Sequence, residues 1–558
     1  MFVRTIPKPN GKTSIQIVES ARRGKKVRQK IIRHVGVAHS DVELRELLRL
    51  AEYIKLKMIE ETTGSLFPPE VLIDTLSDKV SVGRPRKTKK TPLPIEQVIL
   101  KNLAEESRVI QGIQDVFGSL FDDLGFDKIM ANKGESLILK STVLARIANP
   151  VSKLKTASLL EEDFGISIPL QKIYRMMDSL YDRKDQMLST VFSATSSIFE
   201  QKLDIVFFDV TTLYFESFKP DDLRNFGFSK DQKFHNTQVV LALATTQEGL
   251  PIGYKLFPGN TADVSTLSAC VKEWKTKVKI KKVLLIGDRG MLSKKNISIL
   301  EEEKFEYIVA AKIRSMNGEI KKQVLQESGY KVCQLNETGE LYWIKELTVN
   351  GSRLIVSFNS RRARKDASDR ARILEKIEKK ILKGKKGSSK KLVSNSGYKK
   401  YVKIQDSVAT INPESVAEDT KWDGIHGVVT NSDLAPRTAL KRYRELWTIE
   451  DSFRVSKHDL KMRPIFHFTP KRIEAHVAVC FIAYALIRHT QYRVRLQQKE
   501  KLSPERLRSE LVKVQASILR DKTTEGLYGL PSNMSQTAVK IYRAMGLRRS
   551  MTPCQISV

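Results

Sequence analysis

The sequence predicts an α/β protein centred on a mixed sheet, and three observations carry that expectation. Two apolar segments, Phe207-Phe208-Asp209-Val210-Thr211 and Leu285-Ile286-Gly287-Asp288-Arg289-Gly290, each run a hydrophobic strand into an aspartate. Between residues 203 and 312 the strand and helix periodicities alternate in the order β-β-β-α-β-α-β. Far downstream, a helical pattern supplies Glu450 and, seven residues on, Lys457. A rigid strand that delivers a carboxylate is a good holder for a hard divalent cation, which prefers oxygen ligands.

Composition narrows the partners. The 558 residues hold 97 Lys plus Arg against 64 Asp plus Glu, a net charge of +33 and a pI near 9.8, which favours a polyanion over an acidic small molecule. The length allows two to four domains, since single cores stop growing at roughly 250–300 residues. Cys270, Cys333, Cys480 and Cys554 show no paired spacing, so neither a zinc site nor a disulfide framework is signalled. Arg4, Lys8 and Lys12 interrupt any signal-like apolar stretch, so a cytoplasmic protein is expected. The longest uncharged apolar run, Val477 to Ile487, is too short for the ~20 residues of a membrane span and reads as a buried helix.

Taken in order, residues 1–65 predict a β-hairpin plus helix. Alternating segments Thr13 to Val18 and Val27 to Ile32 flank a basic turn at Gly24, with a helix from about Asp41 to Glu61. Residues 66–94 read as a basic linker, in which Gly83-Arg84-Pro85-Arg86 resembles a minor-groove reader of A·T-rich DNA through Arg84 and Arg86. Residues 95–200 carry apolar positions at helical spacing (Ile95, Val98, Ile99, Leu103) and predict a helical DNA-binding domain. There, Thr156 to Leu180 outlines a helix-turn-helix broken at Gly165 to Pro169.

Residues 201–315 form the first part of the core. Strands Ile205 to Phe215, Gln238 to Thr245 and Ile252 to Phe257 make a meander, Asp263 caps a helix to about Lys275, and strand Lys282 to Ile286, a helix from Lys294 to Glu303 and strand Tyr307 to Lys312 follow. This order is the ribonuclease H-like plan. Residues 316–425 are expected to be an inserted basic β-rich subdomain, with strands Leu341 to Ile344 and Arg353 to Ser357 and a charged helix from Asp366 to Leu382. From Arg361 to Lys403 it has 17 basic and 4 acidic residues, making Lys385, Lys386, Lys390 and Lys391 candidate DNA contacts. Residues 426–490 complete the core: after a strand at Gly424 to Thr430, a helix starts at Pro436 and runs through Glu450 to about Lys457. Residues 491–558 are expected to be helical.

Phosphodiester cleavage requires an oxygen nucleophile to be activated and a leaving alkoxide stabilised, work that two divalent ions roughly 3.5–4 Å apart can share. In the predicted fold the first and fourth strands are neighbours, which brings Asp209 and Asp288 together, and the final helix supplies Glu450. Tyr443, Glu450 and Lys457, spaced i, i+7 and i+14, would share a helical face, with Arg454 beside them as a fork for phosphate oxygens. Each residue alone has a plainer reading, as a turn cap or an i,i+4 ion pair. Their conjunction in this order of elements points to metal-dependent chemistry on a nucleic acid.

At these residues the sequence resembles the DDE transposases of bacterial insertion sequences, in the group with a Tyr-x2-Arg-x3-Glu-x6-Lys signature. The match runs from Tyr443 through Glu450 to Lys457, and the form Leu446-Trp447-x-Ile449-Glu450-x2-Phe453-Arg454, with Arg463-Pro464-Ile465 and His476 downstream, resembles one branch. Leu446 occupies the arginine position, and Arg444 or Arg454 is the candidate substitute. The resemblance implies binding of terminal inverted repeats, then strand cleavage and strand transfer with Mg²⁺, Mn²⁺ able to substitute, and two ions. It implies Asp209, Asp288 and Glu450 as catalytic residues and metal ligands, and Tyr443 and Lys457 as contacts to terminal phosphates. Trp422 would be the aromatic that stacks on a flipped base in relatives that pass through a DNA hairpin. Partners would be double-stranded element ends and target DNA, gripped by a homodimer, with no membrane involved. Two other functions use the same residues: a ribonuclease H-like nuclease without strand transfer, and a non-catalytic transposase-derived DNA-binding protein.

Overall fold

The computed structural model describes residues 2–7, 13–23, 26–38, scattered positions from 44 to 55, and 98–556 apart from 200–204, 217–218, 228–234, 279–283, 289, 291–292, 335–339, 350, 383–395 and 406–407. The chain divides into two units, Met1–Val98 and Ile99–Val558.

In the first unit the expected hairpin gains a strand. β1 (Phe2–Pro7), β2 (Thr13–Arg23) and β3 (Lys26–Ala38) form an antiparallel sheet in the order β1-β2-β3. Its core gathers Ile15, Ala38, Leu48 and Ala51, the last two from helical positions within the expected Asp41 to Glu61 segment. The linker with Arg84 and Arg86 lies outside the described residues.

The second unit opens with a departure from the helical expectation. β4 (Leu103–Ile110) is a strand, because it pairs antiparallel with a partner from the far end of the chain, while Glu105 to Arg108 in its middle are all exposed. After short helical turns between Gln114 and Lys128 come the longer helices α1 (Lys133–Ala148), α2 (Lys153–Phe164), α3 (Leu170–Asp182) and α4 (Lys184–Ile198). α2 stops at Gly165, which takes the left-handed conformation open to glycine. The α2–α3 pair is the expected helix-turn-helix outline; α3 buries Ile173, Met176, Met177 and Leu180 and leaves Gln171, Lys172 and Arg175 exposed.

The core sheet is built from β5 (Ile205–Tyr214), β6 (Gln238–Thr245), β7 (Pro251–Pro258), helix α5 (Asp263–Val278), β8 (Leu284–Gly287), helix α6 (Lys294–Glu302) and β9 (Glu306–Ala310). Their order is β7-β6-β5-β8-β9, with β5, β8 and β9 parallel and the rest antiparallel, which is the ribonuclease H-like arrangement. The insertion is no separate β subdomain. β10 (Lys331–Gln334), β11 (Leu341–Val349) and β12 (Ser352–Phe358) extend the same sheet, joined to β9 through β15 (Ile425–Thr430). Between β12 and β15 lie the long helix α7 (Ser360–Leu382) and a hairpin of β13 (Val402–Gln405) and β14 (Val408–Ile411).

After β15 come α8 (Pro436–Arg444), α9 (Trp447–Arg454), α10 (Pro470–Gln498) and α11 (Pro504–Val512). α10 has an 18-residue window apolar enough to cross a membrane, yet 94% of that window is buried inside the protein. The remaining segment is not the expected helical region. β16 (Gln515–Asp521), β17 (Leu527–Pro531) and β18 (Cys554–Ile556) join β4 in a sheet of order β18-β17-β16-β4, with one helix, α12 (Gln536–Ala544).

The core sheet separates two apolar layers. On β5 and just past its end, Phe207, Leu213 and Phe215 enter the layer shared with α8–α10, while Val206, Phe208 and Val210 enter the layer under α5 and α6. That alternation decides where each carboxylate points.

Candidate active site

Asp209 lies between Phe208 and Val210 on β5, so strand periodicity sends it to the α9 face. It stands at mid-strand rather than at the strand end, but its neighbour β8 is only four residues long. The parallel register pairs Phe208 with Gly287, so Asp288, the next residue, stands opposite Asp209 as β8 ends. Leu284 and Ile286 belong to the α9-side layer and Leu285 to the other, so continued alternation sends Asp288 to the α9 side too. Adjacent strands lie about 4.8 Å apart. Two aspartates therefore face one layer side by side, Asp209 half-buried and Asp288 exposed. The Val210 backbone N–H donates to Asp209 Oδ1 at 2.7 Å, which fixes one carboxylate oxygen.

Glu450 arrives from above. α9 packs on β5 and β6, burying Ile449 and Phe453 in the α9-side layer and leaving Glu450 exposed. The single helix expected from Pro436 to Lys457 is broken. α8 ends at Arg444, Leu446 turns into the core (8% exposed), and α9 starts at Trp447 and gives way to a wide π-type turn over Val455–Asp459. Tyr443, Glu450 and Lys457 consequently do not share one straight helical face. Lys457 lies in that turn at 9% exposure, and Tyr443 stacks near His426, with ring centroids 5.2 Å apart. Tyr443 lines a cavity of about 380 Å³ with Tyr342, His426, Arg361, Arg362 and Arg444.

Two candidates sit differently from the expectation. Trp422 is 7% exposed in the layer under α5 and α6, with Arg314 over its ring at 5.9 Å, so no ring face is open to a base. Arg454, half exposed, pairs with Asp451 at 2.8 Å and Asp459 at 3.4 Å. Lys385, Lys386, Lys390 and Lys391 lie outside the described residues, as do Arg84 and Arg86.

The structure adds a clamp that the sequence reading missed. Arg488, the residue after the long apolar run in α10, donates to Asp451 at 2.6 Å, immediately after Glu450. Tyr484, one turn earlier, places its hydroxyl 2.6 Å from the Gly249 carbonyl and 2.7 Å from Ser452 Oγ. Gly249, at φ +81°, brings the β6–β7 turn close: a Cβ there would lie 3.3 Å from Thr448 and 3.6 Å from the Arg488 guanidinium. Burial alone would raise the Asp451 carboxyl, but the Arg488 charge and hydrogen bond hold it below its ordinary value. The only forewarning was an arginine at the end of a buried run. Trp447, one turn before Glu450, is 63% exposed, unusual for a side chain of that size.

Among the described residues no three His, Cys, Asp or Glu side chains stand close enough to form a complete metal cage. Magnesium needs less, since it keeps several waters and takes one or two carboxylates plus substrate phosphate. Opposed Asp209 and Asp288, hard oxygen donors beside the helix that carries Glu450, fit that requirement.

A transposase DDE domain matches residues 200–486, a span that contains all three carboxylates. The chain belongs to the DDE transposase family. No curated protein sequence matches this transposase. Among solved structures it is similar to the piggyBac transposase synaptic complex with hairpin DNA, at 9% identity and TM-score 0.37 over 72% of this chain and 77% of that one. The Mos1 transposase paired-end complex with left transposon end gives 13% identity and TM-score 0.14 over 48% and 78%. The family assignment rests on the sequence match.

Proposed function

We propose that this transposase binds the terminal inverted repeats of an insertion sequence and catalyses strand cleavage followed by strand transfer, with Asp209, Asp288 and Glu450 as its catalytic carboxylates. The observation that carries the reading is the register of β5 against β8, which sets two aspartates side by side on the face where α9 brings Glu450. When bound there, divalent ions, Mg²⁺ or Mn²⁺ and two in number, would supply nucleophile activation and leaving-group stabilisation. The chain's own residues do the positioning. The strands hold Asp209 and Asp288 in fixed register, and the Arg488–Asp451 pair fixes the turn of helix that carries Glu450. The cavity beside Tyr443 presents Arg361, Arg362 and Arg444 to a phosphate backbone, and Trp447 offers an open ring for base stacking. Double-stranded element ends and target DNA are the proposed partners, held by a homodimer, and the expected setting is the nucleoid.

Two measurements test this. Asp209→Asn or Asp288→Asn should lower cleavage of element-end DNA by about 100-fold or more, since even residues behind metal ligands cost 10–100-fold, with end binding retained. Wild-type cleavage in either variant overturns the site. Pre-nicked ends incubated with a target plasmid should yield joined product; cleavage without joining assigns a nuclease instead.

A further inference from the structure

At the other end of α10 lies a second buried charged cluster that the proposed chemistry does not use. Arg146, in the last turn of α1, is 4% exposed, and Lys153, the first residue of α2, is 3% exposed. Neither makes an ion pair or side-chain hydrogen bond among the described residues, and the Lys153 ammonium is fully enclosed without a partner. His467 and His476, with ring centroids 5.5 Å apart, lie within the electrostatic reach of both. The His476 Nε2–H donates to the Met462 carbonyl at 3.1 Å, leaving its enclosed Nδ1 unpartnered. Carboxylates on the adjoining helices are committed elsewhere: Asp178 to Arg472 at 3.2 Å, Asp182 to Lys471 at 3.0 Å and Glu474 to Lys184 at 2.6 Å.

A guanidinium on a side chain as buried as that of Arg146 cannot escape its cost by losing a proton, because arginine stays charged throughout the protein range. Lys153 sits at a helix N-terminus, the end where the helix dipole repels a cation and attracts an anion. Within the cluster, mutual repulsion adds to the effect of burial. Burial, then Arg146, brings Lys153 down to about 7; burial, then Lys153, Arg472 and Arg146, brings His467 down to about 4. Burial, then Lys153, Arg146 and His467, holds His476 well below its usual range.

We propose that Arg146 and Lys153, with His467 and His476 beside them, form a buried receptor for one oxyanion of the phosphate class, closed between α1, α2, α10 and the loop that follows α9. A guanidinium fork and an ammonium suit a tetrahedral oxyanion better than a spherical halide. Binding would protonate His476 Nδ1 and turn it into a donor. Through the Met462 carbonyl the anion would tie the helical layer to the chain segment leaving the Glu450 helix. The side chains' enclosure favours a free ion over a DNA backbone phosphate.

The test is thermal unfolding of the full-length, DNA-free protein in inorganic phosphate against chloride at constant ionic strength. At a hundredfold excess over half-saturation, phosphate should raise the Tm of wild type by about 3 °C. The shift should vanish in Arg146→Met and in Lys153→Met and survive in part in Arg146→Lys. If the anion is instead a DNA phosphate, free phosphate will not move Tm, but the slope of log affinity for element-end DNA against log salt will be shallower in Arg146→Met than in wild type. Absence of both effects, or equal effects in wild type and both methionine variants, overturns the site.

Discussion

Helix α10 passes two buried cationic regions, and they differ in one respect. Towards its C-terminal half, Arg488 meets Asp451, Ser452 and Tyr484, and the charge is balanced. Towards its N-terminal half, Arg146 and Lys153 crowd His476 with no carboxylate committed to them. A balanced buried pair is a structural part: it fixes one helix against another. An unbalanced one marks a place whose partner comes from outside the chain. The two regions should therefore respond to charge removal with opposite signs.

The largest effect is expected at the balanced end. Arg488→Met strands the Asp451 carboxylate, and breaking one side of a buried pair costs about 3–5 kcal/mol. Arg454 remains beside Asp451, so the loss should lie at the low end, about 3 kcal/mol, read from denaturant midpoints. Because α9 carries Glu450, cleavage should fall further than end binding. A stability change under about 1 kcal/mol would mean that the pair is not a clamp.

At the unbalanced end the sign should reverse. In phosphate-free buffer Lys153→Met should leave stability unchanged or raise it by about 1 kcal/mol or more, since replacing buried charge with apolar volume is often stabilising. Its pH dependence sharpens the contrast. With Lys153 at about 7 in the folded chain and an unfolded lysine near 10.4, the unfolded state binds more protons between those values, so stability rises with pH across that window. The penalty is fully present below about pH 7 and relieved above. Denaturant midpoints at pH 7.5 and 9.5 should differ in wild type and converge in Lys153→Met. A destabilised variant with an unchanged pH slope would erase the distinction between the two regions.

What the sequence revealed of these regions follows from how local each signal is. β5 and β8 were legible because strands buried on both faces are apolar runs, and the aspartates stand out within them. The break between α8 and α9 was not, because Arg444, Glu445 and Leu446 are ordinary helix formers and the turn is set by burying Leu446. The β4–β16 pairing joins residues 103–110 to residues 515–521, and Glu105, Glu106 and Arg108 give β4 a solvated face that resembles a helix surface. Arg488 and Arg146 were invisible as a contrast, since both are arginines in helical patterns and only tertiary structure decides which meets a carboxylate.

The smallest stability effect separates structure from DNA contact at Arg454. Its side chain is 51% exposed, and its pairs with Asp451 and Asp459 belong to the class worth roughly 0.2–1 kcal/mol. Arg454→Gln should thus shift the unfolding midpoint far less than Arg488→Met, although both arginines touch the same carboxylate. If Arg454 leaves those carboxylates for a phosphate when DNA binds, the slope of log affinity against log salt should fall by about 0.9, the value of one phosphate contact. An unchanged slope would keep Arg454 as a light brace on α9, and the phosphate contacts would then fall to Arg361, Arg362 and Arg444 in the cavity beside Tyr443.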